Sequence, residues 1–226
     1  MDKLGLSYKN ARGLNKIIDN RLPNRPRFQR HDLKINSETA TMYSWDILQC
    51  IQALYGNQDF APHLIHKPKH HYQRSGNQRF QVFHDMHTGS WWWEIQVSIL
   101  LRIKFNIPLY LCTPKATLEA HKPGASVIPI IVTTDQTQVT LFGNKTAYPM
   151  YLTIGNLPKA IRCKPSRQGQ ILLAYLPTSK LKFITNKASC RCMLINIFHA
   201  CLQHLLSPLI NVGIEGQPMS DGMGTV

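Results

Sequence analysis

Residues 126–157 read SVIPIIVTTDQTQVTLFGNKTAYPMYLTIGNL, and they give the strongest indication of the fold class. β-Branched and other apolar residues fill both halves, while GNKTA at 143–147 has the composition of a turn. The pattern predicts a strand on each side of that turn, and ILLAYL at 171–176 predicts a third, buried strand. Asp135 falls inside the first predicted strand, although the chain has 26 Lys and Arg residues and only 12 Asp and Glu residues. An acidic side chain in this place needs an explanation.

A long helix is predicted after the three strands, at 186–209, and Pro208 limits its C-terminal end. Its apolar residues recur with helical spacing at Leu194, Ile197, Phe198, Cys201, Leu202, Leu205 and Leu206. Strands followed by a long helix indicate the α/β class. Cys190 and Cys192 point to different helix faces and Cys201 lies on the apolar stripe, so we interpret all three as surface and core thiols rather than metal ligands.

The net charge of +14 indicates a polyanionic partner, with nucleic acid favoured over an acidic membrane surface. The segment RLPNRPRFQRH (21–31) suits either an extended arm that follows phosphates or a solvated linker. Its arginines are candidate DNA contacts: Arg21, Arg25, Arg27 and Arg30.

The sequence begins without an apolar leader and its cysteines form no disulfide-type framework, which favours cytoplasm or nucleus over secretion. The most apolar run is interrupted by charges and proline, so no membrane span is expected.

Histidines crowd residues 63–87, and His84, Asp85 and His87 form the tightest group of ligand-type side chains. Imidazole and carboxylate groups both suit zinc, but no second half with matching spacing follows. Capping and turn roles are therefore the favoured interpretation. The WWW run at 91–93 cannot place three rings in one core layer, so at least one of them should meet a partner segment, another chain or nucleic acid.

Several segments together resemble the Plavaka transposases, which are DNA-transposon enzymes of fungi. The resemblance is carried by YPMYLTIGNLPK above all, with RPRFQRHDLKI, DILQCIQALYGNQDFAPHL, FHDMHTGSWWWEIQ and ITNKASCRCMLINIFHACLQHLLSPL. It implies a DDE-type enzyme with an RNase H-like core, in which three antiparallel strands and a long helix precede a fourth strand. It also implies two Mg²⁺ ions and action on DNA in the nucleus. Asp135 would be the first catalytic, metal-binding carboxylate, and Arg162, Lys164 and Arg167 are further candidate DNA contacts.

The sequence predicts four regions. Residues 1–43 form a basic irregular arm, and residues 44–96 form a small helical region rich in His and Trp. Residues 97–114 are an atypical insertion, which is either a translated intron or a genuine apolar hairpin. Residues 115–226 form the N-terminal part of an RNase H-like domain, without a fourth strand or second carboxylate. We therefore expect a truncated transposase remnant that is inactive alone; the alternatives are a non-catalytic basic DNA-binding protein and a decayed, poorly folding gene product.

Overall fold

The computed structural model describes residues 28–35, 38–96, 126–140, 145–179 and 183–224, together with residues 10, 13 and 181. The chain divides into two compact units. Unit 1 comprises Met1–Ala53, Gln136–Pro149 and Leu173–Gly213. Unit 2 comprises Leu54–Asp135, Met150–Leu172 and Ile214–Val226. The predicted insertion at 97–114 lies outside the described residues.

Within the described residues, the strands are β1 (Gln29–Ile35), β2 (Glu38–Ser44), β3 (His71–Ser75), β4 (Gln78–Val82), β5 (Ile130–Thr134), β6 (Thr137–Gln138), β7 (Thr146–Ala147), β8 (Pro149–Ile154) and β9 (Ile171–Tyr175). The helices are α1 (Ile47–Tyr55), α2 (90–96), α3 (Lys159–Arg162), α4 (Lys187–Leu206) and α5 (Pro208–Glu215). Short 3₁₀ turns occur at Ala61–His63, Met86–Thr88 and Pro165–Arg167. Antiparallel strands and several helices confirm the mixed α/β class, while the RNase H-like core stays a prediction. No helix in these ranges combines the length and apolar character that crossing a bilayer requires.

Unit 1 contains an antiparallel pair that the sequence did not reveal. Strand β1 pairs with β2 from Gln29↔Ser44 to Ile35↔Glu38, and β2 pairs in turn with β9. The side chains of β1 alternate between exposed and half-buried, and Ala40 and Met42 of β2 enter the core, as expected for strands with one covered face. The prediction of an irregular arm over 1–43 is therefore wrong for residues 29–35 and 38–43.

The long helix α4 also lies in unit 1 and confirms the predicted helix. It begins after Asn186, whose side-chain oxygen accepts hydrogen bonds from the N–H groups of Ala188 and Ser189 at 2.9 and 3.3 Å. Ile197, Cys201 and Leu205 are buried at successive four-residue intervals, so the packed stripe is narrower than the sequence predicted.

Unit 2 contains the antiparallel pair of β5 and β8, with register from Ile130↔Ile154 to Thr134↔Met150. The hydrogen-bonded order here is β9-β8-β5, with β9 contributing its first two residues to this unit. Met150, Leu152 and Ile154 of β8 are fully buried, which is the expected result of a nearly continuous apolar run. The first predicted strand is shorter than expected: β5 ends at Thr134.

Ile154 ends β8, and the next two residues, Gly155 and Asn156, are buried within unit 2. Asn156 is fully buried, and its side-chain amide donates to the carbonyl oxygens of Ile65 at 2.8 Å and Val127 at 3.2 Å. Gly155 passes so close to its neighbours that an added Cβ would lie 2.9 Å from side-chain atoms of both Met86 and Pro129. The small residue and the buried amide together let three chain segments converge at this point.

A hairpin, β3–β4, projects from the region predicted to be helical. Its register runs from His71↔Val82 to Ser75↔Gln78, and Gly76 adopts a positive φ of 61° in the connecting turn. Nearly every side chain of both strands is exposed. Helices α1 and α2 agree with the predicted helical character of residues 44–96, but the hairpin does not.

Candidate functional site

The predicted catalytic residue, Asp135, is the first residue after β5. It is exposed, whereas the resemblance placed the corresponding carboxylate within the strand. Across the described residues, the one group of three or more His, Cys, Asp or Glu side chains close enough to share a metal ion consists of histidines. In the described part of the chain, Asp135 is therefore not a member of such a group.

Asp85 caps a turn and forms an ion pair, and it is not part of the metal-ligand group found in the described residues. Its carboxylate accepts hydrogen bonds from the backbone N–H groups of Met86 and Lys159, both at 2.7 Å, and forms an ion pair with Arg162 at 3.0 Å. Burial raises the pKa of Asp85, but the two N–H donors and the positive charges of Arg162 and His87 outweigh it, so the pKa lies below its usual value. The favoured capping interpretation is thus confirmed for Asp85.

The turn that Asp85 caps also fixes the two histidines next to it. The Thr88 hydroxyl accepts hydrogen bonds from the N–H groups of His84 at 3.0 Å and Asp85 at 3.2 Å, and it donates to the Asp85 carbonyl at 2.8 Å. The carbonyl of His87 accepts from the Lys69 N–H at 2.8 Å. The backbone at both histidines is thus held by hydrogen bonds.

His71 joins this pair from the base of the hairpin. Its ring centroid lies 4.8 Å from that of His84 and 5.5 Å from that of His87, and the last two centroids are 5.4 Å apart. The sequence grouped His84 with Asp85 and His87 and missed His71. The signal that could have found it is the turn at Gly76, because a hairpin centred there brings position 71 beside position 82, next to His84.

The opposite face of the hairpin is basic and aromatic. The cross-strand register places Arg74 directly opposite Arg79, and the Arg79 guanidinium lies 4.0 Å from the ring centroid of Tyr72. Because side chains two apart share a face, Tyr72 and Arg74 point away from the side of His71. Tyr72 is 48% exposed.

The tryptophan run extends this aromatic surface. Trp93 stacks on His70 with centroids 4.3 Å apart and planes 2° from parallel, and His70 hydrogen-bonds to Gln81 at 2.8 Å. Trp92 is fully buried, whereas Trp91 is 47% exposed. The prediction that the three rings cannot share one core layer is confirmed.

The predicted DNA contacts have different environments. Arg162 has 13% side-chain exposure and is held by Asp85 and by the Leu157 carbonyl at 3.0 Å. Arg30 is exposed and pairs with Asp32 at 3.2 Å, while Lys164 and Arg167 are exposed on unit 2. The remaining candidates, Arg21, Arg25 and Arg27, lie outside the described residues. All of these roles stay predictions, and Arg162 would have to leave a buried ion pair to contact DNA.

Comparison with known proteins bears on the family. The family model described as Plavaka transposase matches residues 8–226, nearly the whole chain. No curated protein and no solved structure matches. The matched range includes the buried residues Gly155 and Asn156 after β8, and the turn of residues 84–88 that Asp85 caps. The resemblance found in the sequence is thereby confirmed, and the chain belongs to the Plavaka transposase family.

Proposed function

We propose that this chain binds DNA through one face of the β3–β4 hairpin, with Tyr72, Arg74 and Arg79 as principal contacts. Membership of a transposase family implies DNA binding in general. The observation that supports this particular surface is the pair of exposed arginines directly opposite each other in the register. Like charges in that position repel each other and destabilise a hairpin. A phosphate between them would remove the repulsion.

The composition of the hairpin strengthens the argument. Its strands, HYQRS and QRFQV, contain no acidic residue that could neutralise the arginines from within. Tyr72 lies beside Arg79 and offers an exposed ring to a sugar or an unpaired base, which is a recurrent way of binding nucleic acid. The stacked pair of His70 and Trp93 lies next to it, since the His70 and Tyr72 centroids are 6.2 Å apart. The surface thus combines cations with rings.

Other basic residues extend the proposal beyond the hairpin. Phosphate contacts that carry no sequence information would come from the arginines of residues 21–31, and also from Lys164 and Arg167. The net charge of +14 supports such contacts. A nuclear location is part of the same proposal, because a transposase meets its DNA there.

The catalytic part of the proposal rests on Asp135 and on an RNase H-like core. The succession β5, β8, β9 and then α4 agrees with the strand and helix order expected of that core, and Asp135 directly follows its first strand. A transposase of this type uses divalent metal ions, and the carboxylate of Asp135 is a suitable hard ligand. However, the carboxylates in the described ranges do not form a two-metal site with it. We therefore propose DNA binding, without strand cleavage, as the function of the chain alone.

The test is a titration of fluorescent duplex DNA with the full chain, measured by fluorescence anisotropy at about 50 and 200 mM salt. Between these two concentrations, phosphate contacts lose much of their contribution to the affinity. The proposal predicts a steep loss of affinity with salt and no Mg²⁺-dependent nicking. Nicking that Asp135→Asn abolishes would show a surviving enzyme. A chain that shows neither DNA binding nor a cooperative thermal transition would instead support the decayed gene product.

A further inference from the structure

Three histidines meet on the side of the hairpin opposite to Tyr72: His71, His84 and His87. Each histidine offers one ring nitrogen, and these three nitrogens all lie within 4.8 Å of one another. We propose that this cluster, hereafter the histidine cluster, binds a single transition-metal ion of the zinc class. The proposal concerns metal binding in unit 2 and does not rest on the DNA-binding role.

The distances are compatible with coordination. Zinc–imidazole bonds of about 2.0–2.1 Å in a tetrahedral site require nitrogens about 3.4 Å apart. The separations of up to 4.8 Å must therefore shrink by about 1.4 Å, which side-chain rotations can provide because His84 is exposed. The backbone positions need no change, since the hairpin register and the turn hydrogen bonds already hold them.

His87 gives a second indication of a ligand. Its side chain is only 7% exposed, and its Nδ1 atom is buried without a hydrogen-bond partner among the residues that the structure describes. A buried ring nitrogen normally has a partner, because an unsatisfied polar atom costs about 1–3 kcal/mol. A metal ion coordinated by Nδ1 of His87 would supply the partner that this atom lacks.

Asp85 is adjacent in sequence to His84 but is not part of the histidine cluster. Asp85 is held by Lys159 and Arg162 and is not a ligand, so it serves as a nearby negative charge.

The ligand set defines the class of ion and what it does. Three imidazoles suit zinc, copper, nickel or cobalt, and they leave one position open for water. Calcium and magnesium prefer oxygen ligands and are excluded as the natural occupant. The ion would join the base of the hairpin to the turn at Met86–Thr88 and restrict movement of the hairpin.

The experiment uses the full chain with every affinity tag removed, since a histidine tag would bind the same metals. The protein is stripped with a chelator and titrated with Zn²⁺ by calorimetry and with Co²⁺ by visible absorption, and its thermal transition is followed with and without Zn²⁺. We expect one ion per chain, tetrahedral Co²⁺ bands and a higher Tm in Zn²⁺. His84→Ala, which removes an exposed ligand, should weaken binding by more than about 100-fold, because even outer partners of a ligand contribute about 10–100-fold.

The matched control is His63→Ala, which removes an exposed histidine of the same unit that is not in the histidine cluster. It should bind Zn²⁺ as the wild type does. His71→Gln provides a second test and should abolish the cobalt bands while the circular dichroism spectrum is retained. Equal Zn²⁺ affinity of the wild type, His84→Ala and His63→Ala would overturn the proposal. So would a wild-type chain that binds no Zn²⁺.

Discussion

The carboxylate of Asp85 lies 3.0 Å from the guanidinium of Arg162, and their side chains are only 7% and 13% exposed. This ion pair joins the turn after the hairpin to helix α3. It combines the capping role that the sequence favoured for Asp85 with Arg162, which the sequence suggested as a DNA contact. Both side chains are better explained as parts of the framework that positions the histidines.

Removing Arg162 tests that explanation. Arg162→Ala leaves a buried carboxylate without its charged partner, and we expect the free energy of unfolding to fall by about 3–5 kcal/mol. Urea denaturation followed by circular dichroism measures it. Arg167→Ala, an exposed arginine nearby, should change stability by less than about 0.5 kcal/mol. Equal effects of the two substitutions would show that the ion pair has no structural importance.

The ion pair also predicts a pH dependence. Because the pKa of Asp85 is lower in the folded state than its ordinary value of 3.8, the unfolded chain binds more protons in acid. The stabilising contribution of the ionised Asp85 carboxylate is complete above the unfolded-state pKa. It is lost as pH falls through the folded-state pKa. Denaturation series between about pH 6 and 3 should show a shallower decline for Asp85→Asn than for the wild type. A decline for Asp85→Asn as steep as that of the wild type would refute this role.

The buried amide of Asn156 makes a separate prediction. Asn156→Ala removes the side-chain amide that donates hydrogen bonds to the Ile65 and Val127 carbonyl oxygens. The loss of these hydrogen bonds should lower the free energy of unfolding by about 1–3 kcal/mol. Asn196→Ala, on the exposed side of α4, is the control and should change stability by less than about 0.5 kcal/mol. Thermal melts of both variants provide the comparison. A fully stable Asn156→Ala protein would contradict the convergence of segments at Asn156.

Thiol reactivity gives a check on the folding of unit 1, which contains both buried cysteines. Burial raises the pKa of Cys50 to about 12 and that of Cys201 to about 11, while Cys163 and Cys192 are exposed. Since the thiolate is the reactive form, iodoacetamide at about pH 8 should modify Cys163 and Cys192 first. Cys50 and Cys201 should react only after denaturant is added. Mass spectrometry of digested samples identifies the sites, and uniform labelling in native buffer would indicate an unfolded chain.

Much of the fold could be predicted from the sequence where apolar patterns are strong. Strands β8 and β9 and helix α4 have apolar runs or stripes long enough to specify both type and position. Strand β1 and the β3–β4 hairpin do not, because their side chains are polar and mostly exposed, and cross-strand pairing leaves little trace in polar sequence.

The candidate sites were harder to predict for the same reason. The sequence pointed to His84 and His87 because they are close in the chain, but His71 reaches them only through the hairpin register. Likewise, Arg74 and Arg79 become a pair only when the strands are aligned. The role of Asp135 was inferred from family resemblance, and it stays a prediction.

The most direct measurement of the central claim compares the DNA affinities of three proteins across a salt series by fluorescence anisotropy. They are the wild type, Arg74→Ala/Arg79→Ala, and Arg191→Ala, which removes an exposed arginine on α4. If the hairpin binds phosphates, the double variant should bind more weakly, and its slope of log affinity against log salt should fall by about 2, while Arg191→Ala keeps the wild-type slope. A double variant whose affinity and salt slope equal those of the wild type would contradict DNA binding by this hairpin.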